Sequence, residues 1–289
     1  VGAFHTFAKT KFASFSGWIN AIIPILIVPY YSVIGGWVIK YLFEYLKGDA
    51  KLLATDTYFS NFISNGVSTE ICFILFTLFT LAIIYAGVQN GIERVSKFMM
   101  PVLVVLSVII AGYSISRPGA FEGVKYFLIP NFDNFSWMTV VSAMGQMFYS
   151  LSIAMGILIT FGSYMKKDVS IEGSTENVEI FDTAIAIMAG LMIIPAVFSF
   201  SGGNMETLKA GPSLMFITIP KVFASMGLGT GIGIIFFLLV LFAAITSSIA
   251  LTESAVSTFQ DELHWSRKKS TIILGIIMIG LGTLSCLGY

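Results

Sequence analysis

The chain has 289 residues, 56% hydrophobic and 11% charged, with 16 basic and 16 acidic side chains and a formal net charge of zero. Soluble domains carry roughly 25% charged residues and nucleic-acid binders need a basic stripe, so this composition excludes both and describes a polytopic membrane protein. The two cysteines, Cys72 and Cys286, sit inside apolar runs with no histidine at ligand spacing, which supports neither a disulfide framework nor a metal cluster.

A helix needs ~20 apolar residues to cross ~30 Å of hydrocarbon. On that criterion seven spans are expected, at 15–46, 69–88, 98–116, 137–165, 178–200, 229–260 and 270–289, in one transmembrane domain without a linker. The connections 118–136, with Pro118, Gly119 and Pro130, and 201–228, with Ser201-Gly-Gly-Asn204 and Gly211-Pro212, are long enough to fold back toward the membrane. The fourth span stands apart. Its middle, Ser150-Leu-Ser-Ile-Ala-Met-Gly156, places hydroxyls, small residues and a glycine where a continuous helix favours Leu or Val, and this predicts a break. Backbone groups freed at membrane depth have no water to bond, so such a break is tolerated beside a cavity, an ion or a ligand, as in the midplane binding elements of secondary transporters.

Other patterns carry less. Gly227-Leu-Gly-Thr-Gly-Ile-Gly233 is followed by a membrane span and preceded by no strand, so it reads as close helix packing or a flexible start to the span, not a nucleotide loop. Asn134-Phe-Ser136 is a glycosylation sequon by pattern alone. His5 and His264 lie apart in loops, and no nucleophile, base and orienter set appears, so an enzyme is not expected. A first residue of Val1 and an apolar run reaching Tyr289 make the chain read as a piece open at both ends. Lys9, Lys11, Arg94, Lys97, Lys166, Lys167, Arg267, Lys268 and Lys269 fall close to span ends on one side, while Lys47, Lys51, Arg117, Lys125, Lys209 and Lys221 fall on the other, several far out in loops. That bias places the first side, with the N-terminus, in the cytoplasm, for a multi-pass protein of the cell (inner) membrane.

The segments GQMFYSLSIAMGILITFGSYMKKD from Gly145, AGPSLMFITIP at 210–220, FAAITSSIAL at 242–251, NGIERVSKFMMP at 90–101 and PYYSVIGGW at 29–37 together resemble the neurotransmitter:sodium symporter family, particularly its bacterial amino-acid transporters. The resemblance runs the length of the chain, in order, and maps the spans onto the family's third to ninth helices. It implies an all-α integral membrane protein with the inverted-repeat, leucine-transporter-type helix bundle, incomplete at both ends. It also implies sodium-coupled symport of an amino acid by alternating access, with the family's first helix, missing here, completing the site.

Residue by residue, the resemblance makes Ser150 the hydroxyl ligand of the first sodium and the Ala243 carbonyl, Thr246 and Ser247 ligands of the second. Sodium is a hard cation that takes oxygen, and positions three and four apart share a helix face. An isolated run of this kind more often bonds back to its own helix. Tyr31 matches the residue that holds the substrate carboxylate, Tyr149 the aromatic outer gate, and Gln146 a glutamine near the ion site. Ser152, Met155, Gly156 and Leu251 match side-chain pocket positions, and a flexible thioether beside a glycine leaves room for a large apolar or aromatic substrate. Ser150 and Ser247 border the substrate as well. Asp182 falls where the family usually has an amide ligand of the first sodium. Its negative charge is expected to replace that of bound chloride, which is then not required, and to take up a proton when sodium leaves; the alternative is a helix cap near the cytoplasm. Lys40 and Glu44, four apart, are expected to pair, and Glu253 to anchor the bundle or mark an ion path. The readings from other classes are a non-transporting amino-acid receptor or regulatory relic, and a truncated product without function that would not be stable alone.

Overall fold

The computed structural model describes residues 1–8, 10–133, 135–204 and 211–288, so Lys9, Asn134 and Lys209 lie outside it. Its helices are α1 (Gly2–Ala8), α2 (Lys11–Lys47), α3 (Ala50–Leu53), α4 (Tyr58–Ile63), α5 (Gly66–Tyr85), α6 (Arg94–Ile115), α7 (Ala120–Leu128), α8 (Trp137–Ser150), α9 (Ile157–Ser163), α10 (Ile171–Ser201), α11 (Ile219–Ala224), α12 (Gly229–Leu263) and α13 (Arg267–Cys286). π-Helical turns, Val88–Glu93 and Leu214–Thr218, lead into α6 and α11. Among the described residues six helical stretches are long and apolar enough to cross a membrane: Phe15–Lys47, Gly66–Tyr85, Val88–Ile115, Ile171–Ser201, Gly229–Leu263 and Arg267–Cys286. The stretch 137–165 is α8 and α9 with residues 151–156 unwound between them.

Local chemistry sets the helix starts. The Asn65 side chain accepts the Ser68 N–H, Ser170 that of Gly173 and Ser266 that of Lys269, each satisfying a donor left open in a first turn. The Ser170 cap starts α10 well ahead of residue 178, where the apolar run begins, because IEGSTEN at 171–177 is polar but still helical. Asp182 consequently lies eleven residues inside α10, about 17 Å along the helix, and does not cap it.

α12 packs along α2 more extensively than any other pair of described elements, with α5 and α13 on the flanks and α10 on α6 and α7. An aromatic cluster fills the end of α2 near residue 45. Tyr41 stacks on Phe237 at 5.2 Å, and Trp37 meets Phe59 and Phe216 edge-on at 5.3 and 5.7 Å. The Tyr41 hydroxyl donates to the Phe216 carbonyl at 2.7 Å, which draws the connection 211–224 into the bundle and buries Phe216, Ile219, Val222 and Phe223. Part of the glycine run is close packing: a Cβ on Gly229 would stand 1.7 Å from the Phe223 carbonyl oxygen and one on Gly233 2.2 Å from the Tyr45 ring, which stacks on Phe237 at 5.4 Å.

At the other end of α12, Glu253 is fully buried and held by two partners, Arg267 and Tyr164. Arg267 donates Nη1 to Oε1 at 2.9 Å and Nη2 to Oε2 at 2.5 Å, its Nε donates to the Ile84 carbonyl at 2.9 Å, and the Tyr164 hydroxyl donates to Glu253 Oε1 at 2.6 Å. One carboxylate thus ties α12, α13, the end of α5 and the end of α9 together. Lys40 donates to Glu44 at 2.6 Å, the pair read from the sequence.

These contacts give two expectations for thermal melting of the full-length protein in detergent. Arg267→Ala leaves a buried carboxylate unpaired and costs about 3–5 kcal/mol, whereas Lys97→Ala, which removes the exposed pair with Glu93, leaves the midpoint unchanged. Gly233→Ala forces Tyr45 off Phe237 and costs about 1–3 kcal/mol. Gly231→Ala meets nothing within 4 Å and raises helix propensity, gaining up to about 1 kcal/mol.

Candidate functional site

The break between α8 and α9 is the most strained backbone described. Ser152 and Ala154 have φ of 55° and 64°, and Gly156 has φ of 71°; among the described residues His264 is the one other non-glycine residue with positive φ. Left-handed conformations cost side-chain-bearing residues roughly 1–2 kcal/mol each, and they persist where neighbours hold them, typically at functional sites. The Leu151, Ser152 and Ile153 N–H groups still donate back to Met147, Tyr149 and Phe148. Ser152, Ile153, Ala154 and Gly156 line a cavity of about 330 Å³ with Asn20, while Met155, also partly exposed, is not in its wall. A second cavity, of about 390 Å³, continues past Asn20 and Gly156 along Ser254, Ser257 and Asp261.

The expected site residues gather in three places. Ser150, the last residue of α8, donates its hydroxyl to Asp182 Oδ1 at 2.5 Å, across from α10. A hydroxyl that close to a carboxylate is a charge-assisted bond, and the pair presents two oxygens in one spot. On α12 the Thr246 hydroxyl lies 3.0 Å from the Ala243 carbonyl and 3.1 Å from that of Phe242, bonded back to its own helix, while adjacent Ser247 is exposed. Tyr31 on α2 lies close to Ser247 on α12. Tyr31 and Met155 also pack on the apolar cluster that contains buried Leu251.

Gln146 and Tyr149 lie on α8, which has no buried residue. Tyr149 stands near enough to Tyr31 to act on it electrostatically, but Gln146 is exposed and is not brought to the Ser150–Asp182 pair by any described hydrogen bond. Among the described residues no group of three His, Cys, Asp or Glu is placed to hold a metal, so any ion held here would rest on hydroxyls, carbonyls and a single carboxylate.

Sequence reasoning missed several residues around the break. Ser254 donates to the Met155 carbonyl at 3.1 Å, the Thr160 and Ser257 hydroxyls lie 3.1 Å apart, and Tyr164 and Arg267 complete the Glu253 network. Except for Glu253 and Arg267, 14 residues apart on consecutive helices, these contacts join elements far apart in sequence, and no local spacing marks them.

The geometry has close relatives. The family model described as the sodium:neurotransmitter symporter family matches residues 57–287. An uncharacterised sodium-dependent transporter, YhdH of Bacillus subtilis, is 35% identical over 277 residues, covering 95% of this chain and 60% of the relative. Another from Haemophilus influenzae is 32% identical over 280 residues, covering 94% and 60%. The crystal structure of MhsT in complex with L-phenylalanine superposes with a TM-score of 0.86 at 36% identity, covering 99% of this chain and 65% of that one. The chain therefore spans about 60% of the length of these curated relatives. With spanning helices, a broken helix beside a hydroxyl and carboxylate pair, and these likenesses, the chain is a multi-pass membrane protein that belongs to the sodium:neurotransmitter symporter family.

Proposed function

We propose that the full-length protein is a sodium-coupled symporter of a large apolar or aromatic amino acid, working by alternating access. The observation that carries this reading is the Ser150–Asp182 bond at the end of α8, where an unwound, strained turn adjoins a carboxylate within a spanning helix. A carboxylate at membrane depth costs ~2.5–3.5 kcal/mol and is seldom kept there without a cation, proton or partner. The phenylalanine bound by MhsT supports the substrate class.

In this reading Ser150 and Asp182 bind the first sodium, and Ser150 turns its hydroxyl hydrogen away from Asp182 to offer a lone pair. The Ala243 carbonyl, Thr246 and Ser247 bind the second; Thr246 already sits oxygen to oxygen with Ala243. Tyr31, steadied by Ser247, donates to the substrate carboxylate. Ser152, Met155, Gly156 and Leu251 face the substrate side chain, Tyr149 closes over it, and Gln146 joins the ion side once the segment that this chain does not span is in place. The Asp182 charge removes the need for chloride. Inward movement of each sodium charge releases ~2.3 kcal/mol per 100 mV of membrane potential, which drives uptake against a gradient.

Proteoliposomes holding the full-length protein are expected to accumulate labelled phenylalanine, tryptophan, tyrosine or leucine with sodium outside, equally with and without chloride. Potassium in place of sodium abolishes it; binding without accumulation would refute symport. Asp182→Asn is expected to lower uptake at least tenfold without chloride and to recover part of it when chloride is added. Equal transport by that variant in both conditions contradicts the charge replacement. Ser150→Ala, which removes one of the oxygens, is expected to raise the sodium concentration for half-maximal uptake about tenfold, worth ~1.4 kcal/mol.

A further inference from the structure

Serines in membrane helices usually bond back to their own preceding turn. Ser257 and Thr258 on α12 do so, both donating to the Ser254 carbonyl at 3.0 Å. Ser254 differs: its hydroxyl crosses to the broken helix and donates to the Met155 carbonyl at 3.1 Å. Met155 sits at the end of the unwound turn, and its carbonyl is among those that the break releases. At membrane depth such a group needs a donor, and Ser254 supplies it.

The contact is built from both sides. Gly156 follows with φ of 71°, and a Cβ there would stand 2.8 Å from Ser254 Oγ. The turn therefore approaches α12 so closely at this serine that only glycine fits. Just beyond, Thr160 and Ser257 meet at 3.1 Å, which keeps α9 in register with α12. The outer half has no equivalent: α8 buries no residue, and its polar link runs to Asp182 on a different helix.

We propose that Ser254 is a positioning residue for the substrate pocket. Its hydroxyl fixes the Met155 carbonyl and thereby sets the conformation of Ser152 to Gly156, the turn that faces the substrate. The proposal rests on the symporter reading above.

The test is equilibrium binding of labelled phenylalanine, tryptophan, tyrosine and leucine to the purified full-length protein at saturating sodium, with melting midpoints measured without substrate. Ser254→Ala is expected to weaken binding of the preferred amino acid about five- to tenfold, the effect of one hydrogen bond to a buried carbonyl. The substrate-free midpoint falls modestly because the Met155 carbonyl loses its donor, the cooperative melt is kept, and Ser254→Thr, which keeps the hydroxyl, binds within about twofold of wild type. Wild-type binding by Ser254→Ala, equal losses in both variants, or loss of the cooperative substrate-free melt in Ser254→Ala overturns the positioning role alone. Absence of sodium-dependent binding in the wild-type protein overturns the symporter reading and this proposal with it.

Discussion

Six unwound residues in the middle of an apolar stretch impose one obligation on this fold: every backbone group they release must find a partner away from water. Three of the six hold positive φ, two of them with side chains, so the turn is not a local energy minimum and depends on what surrounds it. α10 supplies Asp182 to the last side chain before the break, and α12 supplies Ser254 to a carbonyl near its end. Between those edges Ser152, Ile153, Ala154 and Gly156 line the cavities beside Asn20.

Holding that turn requires a frame that does not yield. The α2 and α12 pair provides it, locked near residue 45 of α2 by interlocking aromatic rings and at the opposite end of α12 by the Glu253 and Arg267 pair. The two locks differ in physics. The aromatic lock gains from buried area and edge-to-face geometry and draws the 211–224 connection onto the bundle through Tyr41. The charged lock gains little over a well-packed apolar equivalent, but it loses heavily if one partner goes, so it enforces which helix ends meet. Because Tyr164 shares the same carboxylate, the α9 end of the broken helix is tied to the frame, and α8 at the other end is free of it.

Much of this was legible in the chain. The break followed from the hydroxyls, small residue and glycine that Ser150, Ser152, Ala154 and Gly156 place at the helix centre, and the spans followed from apolar length. Counting from Gln146 set Asp182 level with Ser150, and the two side chains share a hydrogen bond. What the sequence hid is tertiary. The polar start of α10 was invisible to an apolarity criterion because a capped helix extends past the lipid-facing run. Ser254 and Met155 are 99 residues apart, and Tyr164 and Glu253 are 89 apart. Nothing in Thr252-Glu253-Ser254 announces that one side chain anchors an arginine and the next reaches an unwound turn. Thr246 matched an ion ligand, yet its hydroxyl lies against its own helix, so spacing alone could not choose between those uses.

The central claim is that Ser150 and Asp182 form a cation site at the break. The most direct measurement is a high-resolution structure of the full-length protein in sodium with an aromatic amino acid bound, compared with one in potassium alone. The account predicts an ion between Ser150 Oγ and Asp182 Oδ1 in sodium, with their mutual hydrogen bond broken and the amino acid seated against residues 152–156. An intact Ser150–Asp182 bond while sodium and substrate occupy other positions would contradict it.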